Sequence, residues 1–348
     1  MVDCKYIMTN KKIVRFDEVT LMRTILAVLI VFMHSFTCYQ GSWAKPEGYI
    51  DIPTYKWIAR AAFAFTLEAF VFISGYLFAF QKITLNKSGG VIINKLKRLI
   101  LPSIIFSIPY FIIFYDYKGV GNFLYSIVNG CGHMWYLPML FWCFVGVVIL
   151  LKLKIDDSCK LLFLALINIF WPLSLPFQLG AATNYIFYFY LGYVVYKHSE
   201  RIKESITPKN IVISWIIFIL VFILLRPLKE TIIIGDQDLR LYRLLTASAR
   251  STCQLIYATI GTITFYITMV YYTRNKQLSK FTITLASCCF GIYLIHQFLL
   301  KALYYNTDFA SIVGPYWLPW LGFIIVLPIS YFLAILLLKT KIGKFLIG

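Results

Sequence analysis

The chain has 348 residues, 60% of them hydrophobic and 18% aromatic, with 14% charged and a mean hydropathy of +0.76. Soluble domains carry about 25% charged residues, so this composition excludes an ordinary soluble protein and identifies a polytopic membrane protein. The formal net charge of +18 would suit a nucleic-acid binder, but the position of the bases along the chain gives it another meaning.

Apolar runs bounded by charge or turn residues predict about ten membrane helices of the length a bilayer core requires, at 20–38, 57–80, 99–115, 134–151, 161–177, 184–196, 211–225, 252–272, 284–304 and 317–338. The expected fold is all-α, one membrane-embedded domain over 1–348 with no fused extracytoplasmic domain. Ten crossings put both termini on one side. With that side inside, 23 of the 33 Lys and Arg fall on the N-terminal arm, the inner loops and the tail, so both termini are predicted to be cytoplasmic. Orientation accounts for most of the basic excess, and no nucleic-acid partner is implied. The first span is read as a retained helix, because it is long and carries Arg23 and His34. The eight cysteines show no metal-ligand spacing, so no metal is expected; Cys38, Cys131 and Cys253 fall near the outer surface, where two could pair. The segment 226–251 reads as a long outer connection.

Arg23 and His34 are ionisable residues inside the first span, and such residues are costly enough in a bilayer to mark a site. Eleven residues make about three turns, so both side chains leave one helical face roughly 16 Å apart. Counted from Thr20, His34 lies about 21 Å along its helix; Glu68 lies about 18 Å from Phe80 on the returning helix, and His296 about 18 Å from Thr284. Glu68 is therefore a candidate partner for His34, where a carboxylate would fix the imidazole tautomer for a general base. Mutual charge compensation would give the same pairing, and His296 also reads as a packing residue. Arg23 reads either as an interfacial anchor or, with Lys95, Lys97 and Arg98, as part of a cytoplasmic phosphate site. Ser74 and Gly75 read as a small-residue contact between helices.

The spacing from Arg23 to His34 after RFDEVTLMR resembles the first-helix motif of the membrane acyltransferase 3 family. EAFVFISGYLF from Glu68, KLKRLILP ending at Pro102, HMWYLPMLFW from His133 and FGIYLIHQ from Phe290 resemble its later motifs, in order. The family often has Asp where Glu68 stands. The resemblance implies an O-acyltransferase of the cytoplasmic membrane that moves acetyl or another acyl group from acyl-CoA, a co-substrate rather than a resident cofactor, to a hydroxyl of a cell-surface or lipid-linked saccharide. Exopolysaccharide or O-antigen O-acetylation is the type it suggests, with membrane lipids and other polysaccharide-biosynthesis proteins as partners. It further implies that His34 and Arg23 are essential, that Lys97 and Arg98 contact donor phosphates, and that Trp135 and Tyr136 lie near the acceptor; His133 and His296 are further candidates for binding it. A glycan or small-molecule transporter is the alternative from another class.

Overall fold

A computed structural model describes residues 7–9, 12–14, 16–81, 88–170 and 175–347. Arg15, residues 82–87 and residues 171–174 of the fifth expected span lie outside the described residues. A short antiparallel hairpin, β1 (Ile7–Thr9) and β2 (Lys12–Val14), precedes the helices. Then follow α1 (Asp17–Ser35), α2 (Pro53–Phe63), α3 (Thr66–Phe80), α4 (Ser88–Lys95), α5 (Leu101–Phe114), α6 (Val120–Asn129), α7 (Tyr136–Leu150) and α8 (Asp157–Phe170). The rest are α9 (Leu179–Lys197), α10 (Ser199–Ser205), α11 (Pro208–Thr231), α12 (Arg240–Thr273), α13 (Lys280–Tyr305), α14 (Phe309–Val313), α15 (Leu318–Lys339) and α16 (Lys341–Ile347).

Among the described residues, eight helical segments are long and apolar enough to cross a membrane. The expected spans at 161–177 and 184–196 coincide with α8 and α9, which are not among those eight. Two corrections concern segments taken for connections. Helix α11 runs on to Thr231 and α12 begins at Arg240, so the long connection at 226–251 shrinks to eight residues. At 34 residues α12 is about 51 Å long, well beyond the roughly 30 Å of a hydrocarbon core. The stretch between the third and fourth expected spans holds α6, whose Val120, Leu124, Tyr125 and Val128 are all exposed. Spacings of four, one and three residues put those apolar side chains on one helical face, as in a helix lying along a membrane surface.

The chain gathers into two compact units, one of Asp3–Thr66 with Asn275–Gly348 and one of Leu67–Arg274. In the first, α1 packs on α13 and α15 around Val31, Phe36, Cys288, Ile292, Leu300 and Val326, all buried. Close approach of α13 and α15 depends on Gly291, where a Cβ would come within 2.7 Å of Ala334 Cβ. Tyr304 ties the end of α1 to the start of α15 through one hydroxyl, 3.0 Å from Ser35 O and 3.2 Å from Leu318 O.

In the second unit α3 meets α9 backbone to backbone. A Cβ on Gly75 would fall 1.8 Å from Phe189 O, and one on Gly192 would fall 2.0 Å from Phe72 O. Only glycine fits either place, so the contact expected of Ser74 and Gly75 is present, with Gly192 as its counterpart. Helix α11 shows the other extreme. Its Val212, Ile216, Leu220, Ile223 and Leu224 are exposed, an apolar surface that water would not tolerate and lipid would.

Candidate active site

In the first unit, α1 brings His34 against His296 of α13. His34 Nδ1 lies 2.8 Å from Ile30 O and 3.1 Å from His296 Nε2, while His296 Nδ1 lies 2.9 Å from Ile292 O. These contacts fix the protons, because a carbonyl oxygen only accepts. His296 Nδ1 therefore donates to Ile292 O and leaves its Nε2 as an acceptor. His34 Nδ1 donates to Ile30 O and to His296 Nε2 together, and His34 Nε2 is left with a lone pair. Among the described residues no partner takes that lone pair. The arrangement has the logic of a base oriented by a second group, with an imidazole where a carboxylate is more usual.

This revises the partner expected for His34. Depth along the helices suggested Glu68, but His296 and the carbonyl one turn back hold the proton on Nδ1. It also revises His296, expected toward the acceptor. His296 has no exposed surface, whereas His34 is half-buried, so the second histidine sits behind the first.

Around His34 the surroundings are aromatic. Trp43 stacks on the imidazole at 6.1 Å and 24°, and Phe63 meets it edge-on at 5.9 Å. The Lys301 ammonium lies over the Trp43 ring at 5.6 Å. Sequence reading missed Trp43, which follows the first span in an irregular segment and carries no periodic signal. Cys38, just beyond α1, is a free thiol, as are Cys131 and Cys253, so none of the three is in a disulfide. Burial pushes the Cys38 thiol up to about 12 and the Cys131 thiol up to about 11, which leaves both protonated and poorly nucleophilic.

Arg23, three turns back on the face of α1 that carries His34, is not the snorkelling anchor that its position allowed. It is buried, with Nη2 donating to Ala286 O at 2.7 Å and Nε buried without a partner. Among the described residues the guanidinium's hydrogen bond is thus to a neutral carbonyl. A guanidinium taken out of water with a donor unused is costly unless an anion completes it.

In the second unit, Glu68 is buried on α3. Its Oε1 accepts from Gln254 Nε2 at 2.8 Å, Gln254 Oε1 accepts in turn from Lys229 Nζ, and Oε2 is buried without a partner. Arg226, one turn before Lys229 on α11, reaches Tyr257 OH at 3.3 Å and Glu230 at 3.2 Å, and its Nε is also buried without a partner. Gln254, Lys229 and Arg226 were not singled out in the sequence. The signal for them was present, since all three are polar residues at the ends of otherwise apolar runs that face each other across one connection.

The basic entry to the third span divides. One π-helical turn, Leu96–Ile100, separates α4 from α5 and carries Lys97 and Arg98, the first exposed and the second half-buried. Such turns are concentrated at functional sites. Lys95, grouped with them in the sequence, is instead buried with its ammonium 4.2 Å from the centre of the Phe144 ring, a packing contact. His133 is buried with its ring edge-on to Tyr110 at 5.8 Å. Tyr136 is buried beside Trp135, which is half-buried and faces Tyr185 at 6.0 Å.

Comparison with known proteins returns one family model, described as an acyltransferase domain, which matches residues 16–339. No curated protein and no solved structure matches the chain. Apart from Arg15, the matched region contains the motifs noted in the sequence and all eight membrane-crossing segments, and it does not favour a transporter. The chain belongs to the acyltransferase 3 family and is a multi-pass membrane acyltransferase.

Proposed function

We propose that this acyltransferase works in the cytoplasmic membrane, with both termini on the cytoplasmic side, and moves an acyl group from acyl-CoA, acetyl-CoA first among them, to a hydroxyl of a cell-surface or lipid-linked saccharide. The observation that carries the reading is the lone pair on His34 Nε2, held in place by the bond from Nδ1 to His296. The acceptor hydroxyl gives its proton to His34 Nε2 while its oxygen attacks the thioester carbonyl. The C–O bond forms, the C–S bond breaks, and the departing thiolate takes the proton back from the imidazolium. During the step the charged ring keeps Nδ1–H on two acceptors, Ile30 O and His296 Nε2.

Arg23 supports the same reading from the other end of α1. Its unused Nε is suited to an anionic group of the donor, and a helical rise over eleven residues sets that group about 16 Å from the base. A long, thin molecule with phosphates at one end and a thioester at the other has this form. Lys97 and Arg98, on their π-helical turn, are proposed as contacts to donor phosphates, Arg98 through its planar fork and Lys97 as a compact charge.

The test is acyl transfer by detergent-purified His34→Ala, followed as free thiol released from acetyl-CoA in the presence of membrane saccharide acceptor. Loss of a positioned general base predicts a fall in kcat of about a thousandfold. The thermal midpoint should stay near that of the unaltered protein, since His34 is half-buried and outside the apolar core. Transfer at the unaltered rate would remove His34 from the chemistry and with it the proposed mechanism.

A further inference from the structure

We infer that the second unit holds a binding site for an uncharged saccharide, formed by the open oxygen of Glu68, the open Nε of Arg226 and the aromatic pair Trp135 and Tyr185; as the acceptor's site, it rests on the transfer reading above. The first observation is an unfinished network. Lys229 donates to Gln254 and Gln254 donates to Glu68 Oε1, so the chain of donors ends on a carboxylate whose second oxygen is buried with nothing to accept from. Glu68 is 2% exposed. A buried carboxylate left half-satisfied costs free energy that folding alone does not recover, and a ligand hydroxyl would complete it.

A second open group belongs to the same cluster. Arg226 Nε is a buried donor without a partner, while its two terminal nitrogens are committed to Tyr257 and Glu230. Arg226 lies one turn from Lys229 on α11, and Lys229 is linked to Glu68 through Gln254. One open acceptor and one open donor match a vicinal diol, whose hydroxyls donate and accept at neighbouring carbons. Aromatic surface is at hand as well. In the same unit the ring of Tyr185 faces Trp135 at 6.0 Å, both half-buried. The C–H face of a pyranose is apolar and packs on such rings, so a ligand of this class suits both the open polar groups and the aromatic pair.

Charge narrows the class. Lys229 and Arg226 are matched by Glu68 and Glu230, so the cluster is balanced. A uronic acid or a phosphate would bring a second negative charge against Glu68, which an uncharged sugar avoids. Glu68 is thereby assigned to holding the acceptor, through a hydrogen bond that the ligand completes.

The experiment is equilibrium binding of radiolabelled methyl hexosides and methyl N-acetylhexosaminides to the full-length protein in detergent, with glucuronate and inorganic phosphate as charged competitors. Saturable binding of at least one neutral glycoside is expected, weakened about tenfold or more in Glu68→Gln and in Arg226→Lys, each of which removes one open group. Gel filtration and circular dichroism select the variants that keep the native fold, and Trp135→Leu provides a third if either polar change fails that control. No saturable binding to the unaltered protein would overturn the inference, as would equal affinity in the folded variants or tighter binding of glucuronate or phosphate. Failure of the transfer mechanism reads differently. There His34→Ala retains transfer, whatever the glycoside measurements show.

Discussion

The two polar clusters, one in each unit, differ in residue type and are opposite in how far their valences are filled. Around His34 every proton has a defined place. Two carbonyls and one imidazole nitrogen settle the tautomers, and a single lone pair on a half-buried ring is left over. Around Glu68 two groups are open, a carboxylate oxygen and, on Arg226 one turn from Lys229, a guanidinium nitrogen, both buried without partners. A base must be preorganised before its substrate arrives, because reorganisation at the moment of reaction adds to the barrier. A binding group gains by the reverse, since an unfilled valence is satisfied only when the right ligand is present. The difference teaches a way to tell chemistry from recognition by whether the valences are filled before a ligand arrives.

The sharpest way to break this contrast, after removal of His34 itself, is at His296. His296→Ala takes away an acceptor that holds the charged form of His34, a hydrogen bond to a charged group of about 1.5–3 kcal/mol, so kcat should fall by about ten- to a hundredfold. The KM values for donor and acceptor should stay within about twofold, because the pair binds neither ground state. His296→Asn, whose side-chain oxygen can accept from Nδ1, should recover a part of the loss. A residue that merely packed would show no such recovery, and equal kcat in all three proteins would reduce His296 to filling space.

The complementary change in the second unit is Gln254→Leu, which removes the donor that fixes Glu68 Oε1 and leaves the carboxylate to reorient. Acceptor KM should rise about tenfold, the size of one charge-assisted hydrogen bond, with kcat at saturating acceptor and the KM for acyl-CoA little changed. The opposite pattern, a fall in kcat at constant KM, would return Glu68 to the chemistry and erase the division between the clusters.

How much of this was legible in the sequence follows from the range of each interaction. The helices are local and apolar, so their positions could be read, and the small-residue signal at Ser74 and Gly75 pointed to the contact with α9. Arg23 and His34 stood out because charge inside an apolar run is visible without any partner. The partner itself was not legible. Glu68 and His296 both lay at suitable depth, and rise along a helix does not say which way a ring turns or which element is adjacent; only the packing of α1 on α13 puts His296 behind His34. Gln254 was hidden for a related reason, since one amide at the edge of a span means little until a carboxylate 186 residues away in sequence is found beside it. The first turns of α12 were misread as a connection because Arg240, Arg243 and Arg250 look like loop composition, although helices tolerate arginine well.

The same contrast between an open group and a satisfied one separates two lysines two residues apart, with a smaller effect. Lys97 is exposed on the π-helical turn, and Lys95 is buried over the Phe144 ring. A solvated cation contributes up to about 1 kcal/mol to an ion pair, so Lys97→Ala should raise the KM for acyl-CoA by no more than about fivefold, and added salt should shrink the difference by screening it. Lys95→Met keeps the apolar stem against Phe144 and removes only the charge, so it should leave that KM unchanged and shift the thermal midpoint instead. Should Lys95→Met alter the donor KM while Lys97→Ala does not, exposure would have failed as the guide to which cation meets the donor, and the π-helical turn would serve packing alone.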